Sequence, residues 1–317
     1  MADELDRWAA RRAPELLARA EAEAVAQLRE ALVRAATTEP SRRTAPPPAP
    51  RPAPVETGHA LWAYCVTHDG ASLGELPPGV DPEHPVEAIA CGDLVLYVSR
   101  VALAEYGAES LSTNLNDFAW LERVARAHEA VLEHALRATT VVPLRLCTIY
   151  ADADRARAML TERAPELRAS LAALDGREEW SVKLLVDPDA LLAAAAQGRD
   201  REDPGAAQSG AAYLLQRRAE REDREAADQI ASEVASDVHA RLQDWADDAV
   251  LSAPQNRELS GHDGDMLLNG AYLVERGRVQ GMRDLVAELG EQHRHLGARL
   301  LFTGPFPPYN FAAVSGS

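Results

Sequence analysis

Lysine is almost missing from this chain of 317 residues: Lys183 is the only one, and the rest of its 33 basic Lys and Arg residues are arginine. Against 50 acidic residues this leaves a net charge of −17, which argues against a nucleic-acid or anionic-membrane partner, because phosphate binding needs clustered cations. Cysteine is scarce too. Cys65, Cys91 and Cys147 are odd in number and widely spaced, each in an apolar run that reads as strand. They predict buried, inert thiols rather than a disulfide framework or a thiolate zinc site. No apolar run approaches the roughly 20 residues that a bilayer span needs. The opening MADELDRWAARR lacks the basic start and apolar core of a secretory signal, so a cytoplasmic location is expected. Phosphate-cradling Gly-x-x-x-x-Gly-Lys, dinucleotide and Gly-x-Ser-x-Gly motifs are all missing.

What the chain does have is the composition of a folded protein, 46% hydrophobic and 26% charged. Residues 1–36 are rich in the helix formers Ala, Leu, Glu and Arg. Leu17, Ala20, Ala24, Leu28 and Ala31 make one stripe at helical spacing, suited to docking on the protein's own body or to binding a partner. Residues 37–57 include EPSRRTAPPPAPRPAPV, a proline-rich linker that favours an extended polyproline helix.

Residues 58–176 predict a first domain. HALWAYCV, VEAIAC and DLVLYVS read as strands, the last two turned at Cys91-Gly92-Asp93. A helix follows, expected to be capped by Asn114 with Asp117 three residues on, both placed to satisfy or complement the first-turn amides, and to pack through Phe118, Leu121, Ala125, His128, Leu132 and Ala135. VVPLRLCTIY then predicts one strand and Asp152 to Leu174 one helix. Residues 177–304 predict a second domain: a strand at EEWSVKLLVD, a mobile loop at 200–210, a long helix over 211–249 with Ile230, Val234, Val238, Leu242 and Trp245 on one stripe, strands at AVLSAPQNREL and MLLNGAYLVER, a helix over 279–296 and a last strand, ARLLFTGPF. The order β-α-β-β-α-β is the split β-α-β pattern of a ferredoxin-like domain. In the first domain an irregular segment, HDGASLGELPPGVDPEHP, replaces the first helix. The fold class expected is therefore α+β, two modified ferredoxin-like domains in tandem, with the N-terminal helix on its tether and a short aromatic and proline extension over residues 305–317.

No residue constellation predicts catalysis, metal or cofactor. His128 and His134 are six residues apart, about 240° round a helix, and cannot share a metal as an i, i+4 pair does; His128 on the apolar stripe reads as a packing histidine with a hydrogen bond. His293 and His295 flank Arg294 at a helix end and suit its dipole. The 262–265 stretch, HDGD, reads as a tight turn. Strand alternation would bury Arg145 beside Val141, Cys147 and Ile149, where its guanidinium requires an ion-pair partner or a ligand.

Two stretches carry a family likeness. NLNDFAWLERVARAHEAVLEHALRATTVVPLRLCTIY, from Asn114 to Tyr150, and LFTGPFPPYNF, from Leu301 to Phe311, flank an LLNGAYLV segment, and together they resemble the gas vesicle protein F/L family over roughly residues 58–313. The resemblance implies two modified ferredoxin-like domains and a non-catalytic accessory protein of gas vesicle assembly. Such a protein would bind the small hydrophobic shell protein (GvpA-type), and other accessory proteins, and nucleate or chaperone early vesicle growth, in the cytoplasm or as a minor vesicle component. It implies no cofactor. Candidate partner contacts are Phe306, Pro307, Pro308, Tyr309 and Phe311, which would staple the two domains or present an anchor, with Tyr272, Trp120 and Arg145 in the matching motifs and Leu17 and Leu28 on the N-terminal helix. Two other classes compete: a haem-dependent α+β-barrel oxidoreductase using His128 or His239, and a ligand-sensing regulatory module.

Overall fold

The computed structural model describes residues 58–71, 73–197, 210–254 and 264–312. The expected N-terminal helix with Leu17 and Leu28, the proline-rich linker and most of the 200–210 loop lie outside the described residues. The described residues divide into two compact units: those up to Asp175 together with those from Pro307 onward, and those between Gly176 and Phe306. Both combine helices with an antiparallel sheet.

In the first unit, β1 (His59–His68) is central in a five-stranded sheet with β2 (Val86–Cys91), β3 (Leu94–Ala102), β4 (Val142–Pro143) and β5 (Ile149–Tyr150), in the order β2-β3-β1-β4 with β5 also beside β1. A two-residue turn links β2 to β3, Cys91 pairing with Leu94, and Gly92 takes the positive φ of 62° that such hairpin turns demand. Tyr64 is the extra residue of a bulge between Ala63 and Cys65. Short helices α1 (Leu103–Tyr106) and α2 (Ala108–Asn114) lead into α3 (Phe118–Ala138).

The cap of α3 is Asp117, not Asn114: its carboxylate accepts from the Ala119 and Trp120 amides, because Asn114 already ends α2. The buried face is wider than the predicted stripe. It adds Trp120, Val124 and Val131, and it omits Phe118, which is 61% exposed. This face packs with Trp62, Tyr64 and Tyr97 in one cluster.

The predicted helix from Asp152 to Leu174 is two, α4 (Ala153–Glu162) and α5 (Ala164–Leu174), broken where Pro165 enters the first turn of α5 and offers no amide to the preceding helix. Both contact the same sheet and bury Leu160, Leu167 and Leu171, so β1 is buried along both faces and reads as an unbroken apolar run.

The second unit holds a four-stranded sheet in the order β7-β8-β6-β9, from β6 (Arg177–Val186), β7 (Asp248–Leu251), β8 (Asp265–Glu275) and β9 (Arg299–Phe306). Its helices are α6 (Pro188–Gln197), α7 (Gly210–Trp245) and α8 (Val279–Gln292). The expected element order lacks α6, whose start is signalled by Asp187, which accepts from the Asp189 amide, and by Pro188, which opens the helix. Val234, Val238 and Leu242 of α7 are buried with Val182, Leu184, Tyr272 and Met282. The charged first part of α7 carries i, i+4 pairs such as Arg218–Glu222 at 2.9 Å, worth a few tenths of a kcal/mol each. On β6 the apolar Trp180, Val182 and Leu184 alternate with Glu179, Ser181 and Lys183, which are also buried.

Candidate functional site

The stretch expected as a single strand, Val141 to Tyr150, is two short bridged segments, Val142–Pro143 and Ile149–Tyr150, with a hydrogen-bonded turn between them. Leu144 donates its amide to the Tyr64 carbonyl at 2.8 Å, Thr148 donates to the Arg145 carbonyl at 3.1 Å, and Ala63 donates to the Thr148 carbonyl at 2.9 Å. The Thr148 hydroxyl donates to the Arg145 carbonyl as well, at 2.7 Å. Cys147 has φ 65° and is the sole non-glycine residue with positive φ among the described residues.

Arg145 is exposed, contrary to the alternation that would bury it, because the turn replaces the strand and breaks the period of two. Cys147, half-buried, lies in this turn and not in a strand, and burial pushes its thiol up to about 12. Cys65 is buried in β1 and raised to about 12 by the same desolvation. Cys91 ends β2 half-buried, its sulfur 3.4 Å from the Thr161 hydroxyl.

Beneath the turn sits His128. Its Nδ1 accepts from the Trp62 indole at 3.0 Å and its Nε2 donates to the Leu144 carbonyl at 3.2 Å, while the Tyr64 ring stacks on it at 5.3 Å. Burial lowers its pKa to about 4, so the imidazole stays neutral and in the tautomer that this relay needs. With both ring nitrogens engaged, His128 presents no lone pair for axial haem ligation. His239 faces the Tyr272 hydroxyl at 3.1 Å through Nδ1.

Of the other candidates, Trp120 is buried and donates its indole N–H to Glu105 at 2.6 Å. Glu105 also takes the Arg123 guanidinium at 2.6 Å. Tyr272 is fully buried in the second core. Both therefore hold their units together. Phe306 ends β9, whereas Pro307, Pro308, Tyr309 and Phe311 belong to the first unit. Pro307 and Pro308 are buried, and Tyr309 packs against the first core and donates its phenol to Glu129 at 2.8 Å. Sequence reasoning missed Glu129: it follows a packing histidine on α3, and its partner lies 180 residues away. Burial pushes its carboxyl up to about 7, with the Glu133 carboxylate adding to the shift and the Tyr309 hydrogen bond opposing it.

At the end of α8 His293 is buried, its Nε2 3.5 Å from the Asp237 carboxylate without hydrogen-bond geometry. Among the described residues no cluster of three or more His, Cys, Asp or Glu side chains is arranged to hold a metal ion. No helix among them is long and apolar enough to cross a membrane.

The described polar groups thus secure turns, caps and helix ends in a protein of mixed helices and two antiparallel sheets. Two solved structures share this fold: gas vesicle protein GvpF from Anabaena sp. PCC7120, with a TM-score of 0.61 at 19% identity over 82% of this chain and 98% of that one, and GvpF from Microcystis aeruginosa, with a TM-score of 0.58 at 19% identity over 80% and 99%.

Residues 60–313 match the family described as gas vesicle synthesis protein GvpL/GvpF, and the chain belongs to that family. It is 34% identical over 265 residues to gas vesicle protein L of Streptomyces sp. (strain CB03234), covering 82% of this chain and 96% of that protein. It is 31% identical over 251 residues to gas vesicle protein F of the same organism, covering 76% and 93%. Membership supports a role in gas vesicle assembly.

Proposed function

We propose that this protein is a non-catalytic assembly factor that binds the small hydrophobic shell protein (GvpA-type) of the gas vesicle wall and helps nucleate or chaperone early vesicle growth. The observation that carries the reading is the match of residues 60–313 to the gas vesicle synthesis family. The physical need is plain: a wall subunit with a large apolar patch and open strand edges aggregates unless something covers it before polymerisation.

Both sheets follow the strand order second-third-first-fourth, which supports reading the units as two modified ferredoxin-like domains in tandem. The protein works in the cytoplasm and on the growing vesicle. Recognition uses exposed elements of the folded body and the stripe carrying Leu17 and Leu28, while Trp120 and Tyr272 keep the scaffold in shape.

Co-expression with the shell protein tests this directly. The full chain should co-purify with shell subunit, and deletion of residues 1–57 should separate the contribution of the N-terminal segment from that of the body. Failure of the full chain to retain any shell subunit, with normal vesicles in cells lacking the gene, would overturn the reading.

A further inference from the structure

Phe118 falls on the stripe of α3 expected to face the core, three residues ahead of the buried Leu121, and yet it is 61% exposed. Among the described residues Leu251 is the other large hydrophobic side chain left in solvent. Phe118 does not stand alone. Leu103, Leu111 and Leu115 are half-buried against the core of the first unit and lead along α1 and α2 to the start of α3. An aromatic ring in water at the end of such an apolar ledge marks an interaction surface.

The point where the chain enters this unit decides what covers the ledge. The Leu103 amide donates to the Gly58 carbonyl at 3.0 Å, so the first described residue sits at the start of α1. Glu105 of α1 accepts from the Trp120 indole at 2.6 Å and pairs with Arg123 at 2.6 Å, which brings the first turn of α3 to the same short helix. Residues 46–54, PPPAPRPAP, end four residues before Gly58. At about 3.1 Å per residue of polyproline helix they span roughly 28 Å, enough to run past α1 to Phe118. The stripe of residues 17–31 lies beyond this stiff stretch and is carried away from Gly58 by it.

Charge favours the same occupant. Residues 40–55 hold Arg42, Arg43 and Arg51 and no acid, whereas residues 103–117, which form α1, α2 and the cap of α3, hold Glu105, Glu109 and Asp117 and no Lys, Arg or His. Opposite charges at contact distance set the register even where the distant field is screened. A preformed polyproline helix also loses little entropy on docking, and its proline rings suit an aromatic face.

We propose that the proline-rich segment of residues 46–54 docks in cis on the ledge of Leu111, Leu115 and Phe118, with the Phe118 ring as its anchor. Docked there, it covers Phe118 and presents residues 1–36 from this face of the first unit.

The experiment is thermal melting of the full chain with Phe118→Ser, with residues 45–54 replaced by Gly and Ser at the same length, and with both changes. Each change alone should lower the melting temperature by about 2–4 °C. The two together should lower it no further than either alone, because they remove the same contact. A Phe118→Ser effect that is as large in the replaced chain as in the wild type overturns the proposal, since the ring then acts within the body alone. Silence of both changes overturns it as well. Other occupants have their own signatures. Loss of retained shell subunit on co-expression of Phe118→Ser, with an unchanged melting temperature, gives the ledge to that partner. A melting temperature that rises with protein concentration in the wild type but not in Phe118→Ser gives it to a second copy. Either result overturns docking in cis.

Discussion

Tyr309 donates its phenolic hydrogen to Glu129 across 2.8 Å, although 180 residues separate them. The C-terminal segment is thereby tied to the middle of α3, with Pro307 and Pro308 buried beside it.

This contact and its neighbour set a distinctive pH dependence. Glu129 is raised from 4.5 to about 7 by burial. Its contribution is therefore complete below about pH 4.5 and is lost as pH climbs to 7, because the unfolded chain ionises first. His128 is lowered from 6.5 to about 4, again by burial. Its contribution is present above pH 6.5 and is lost as pH falls towards 4, because the unfolded chain takes up the proton first. The two slopes oppose each other in one window. Thermal unfolding of the wild type between pH 4.5 and 6.5 should be nearly flat, and Glu129→Gln should show a melting temperature that rises with pH. A variant that tracks the wild-type curve throughout this window would show that Glu129 ionises in the folded protein as it does in water.

Removing the phenol should loosen the same tie. Tyr309→Phe keeps the ring in the core and deletes one hydrogen bond, for an expected loss of about 1 kcal/mol. Denaturant melts at pH 6 measure it, and amide hydrogen exchange of residues 309–312 should rise in the variant.

His128→Ala should be far more severe. It opens a cavity beneath Tyr64 and leaves both the Trp62 indole and the Leu144 carbonyl without partners. A cost of roughly 3–5 kcal/mol follows from a cavity term plus one or two unsatisfied buried groups. Chemical denaturation would expose a smaller role if the loss stayed below that of Tyr309→Phe.

At Cys147 a pair of substitutions isolates the backbone strain. Cys147→Ala and Cys147→Gly both delete the sulfur, but only glycine is at ease at φ 65°. The glycine variant should be the more stable of the two by about 1 kcal/mol. An alanine variant that melts at or above the glycine variant would mean that the turn rearranges.

Asp117→Ala should cost about 1 kcal/mol through the lost cap of α3, and Asp117→Ser should restore most of it. Equal melts for Ala and Ser would return the helix start to another residue.

Much of the element order was legible because it rests on local rules. Apolar runs bounded by Gly and Pro gave β1, β2, β3, β6 and β8, and the 3.6-residue stripe gave the buried faces of α3 and α7. The errors are local signals passed over or overridden. Pro165 and Pro188 mark helix starts that the apolar stripe alone does not show. Asn114 and Asp117 both suit a cap, and the choice depended on α2 ending at Asn114. Alternation would put Arg145 inside, a rule that fails where hydrogen bonds from β1 and from His128 bend the chain into a turn.

By itself the amino-acid order determined the family, the alternation of helix and strand and the shortage of cations, since these follow from neighbours in the chain and from composition. Only the folded arrangement decided that His128 supports the turn, that Glu129 meets Tyr309 and that Arg145 faces outward. Each of those depends on groups brought together from distant positions, and burial, which sets both their ionisation and their exposure, is a property of the assembled cores and of no single segment.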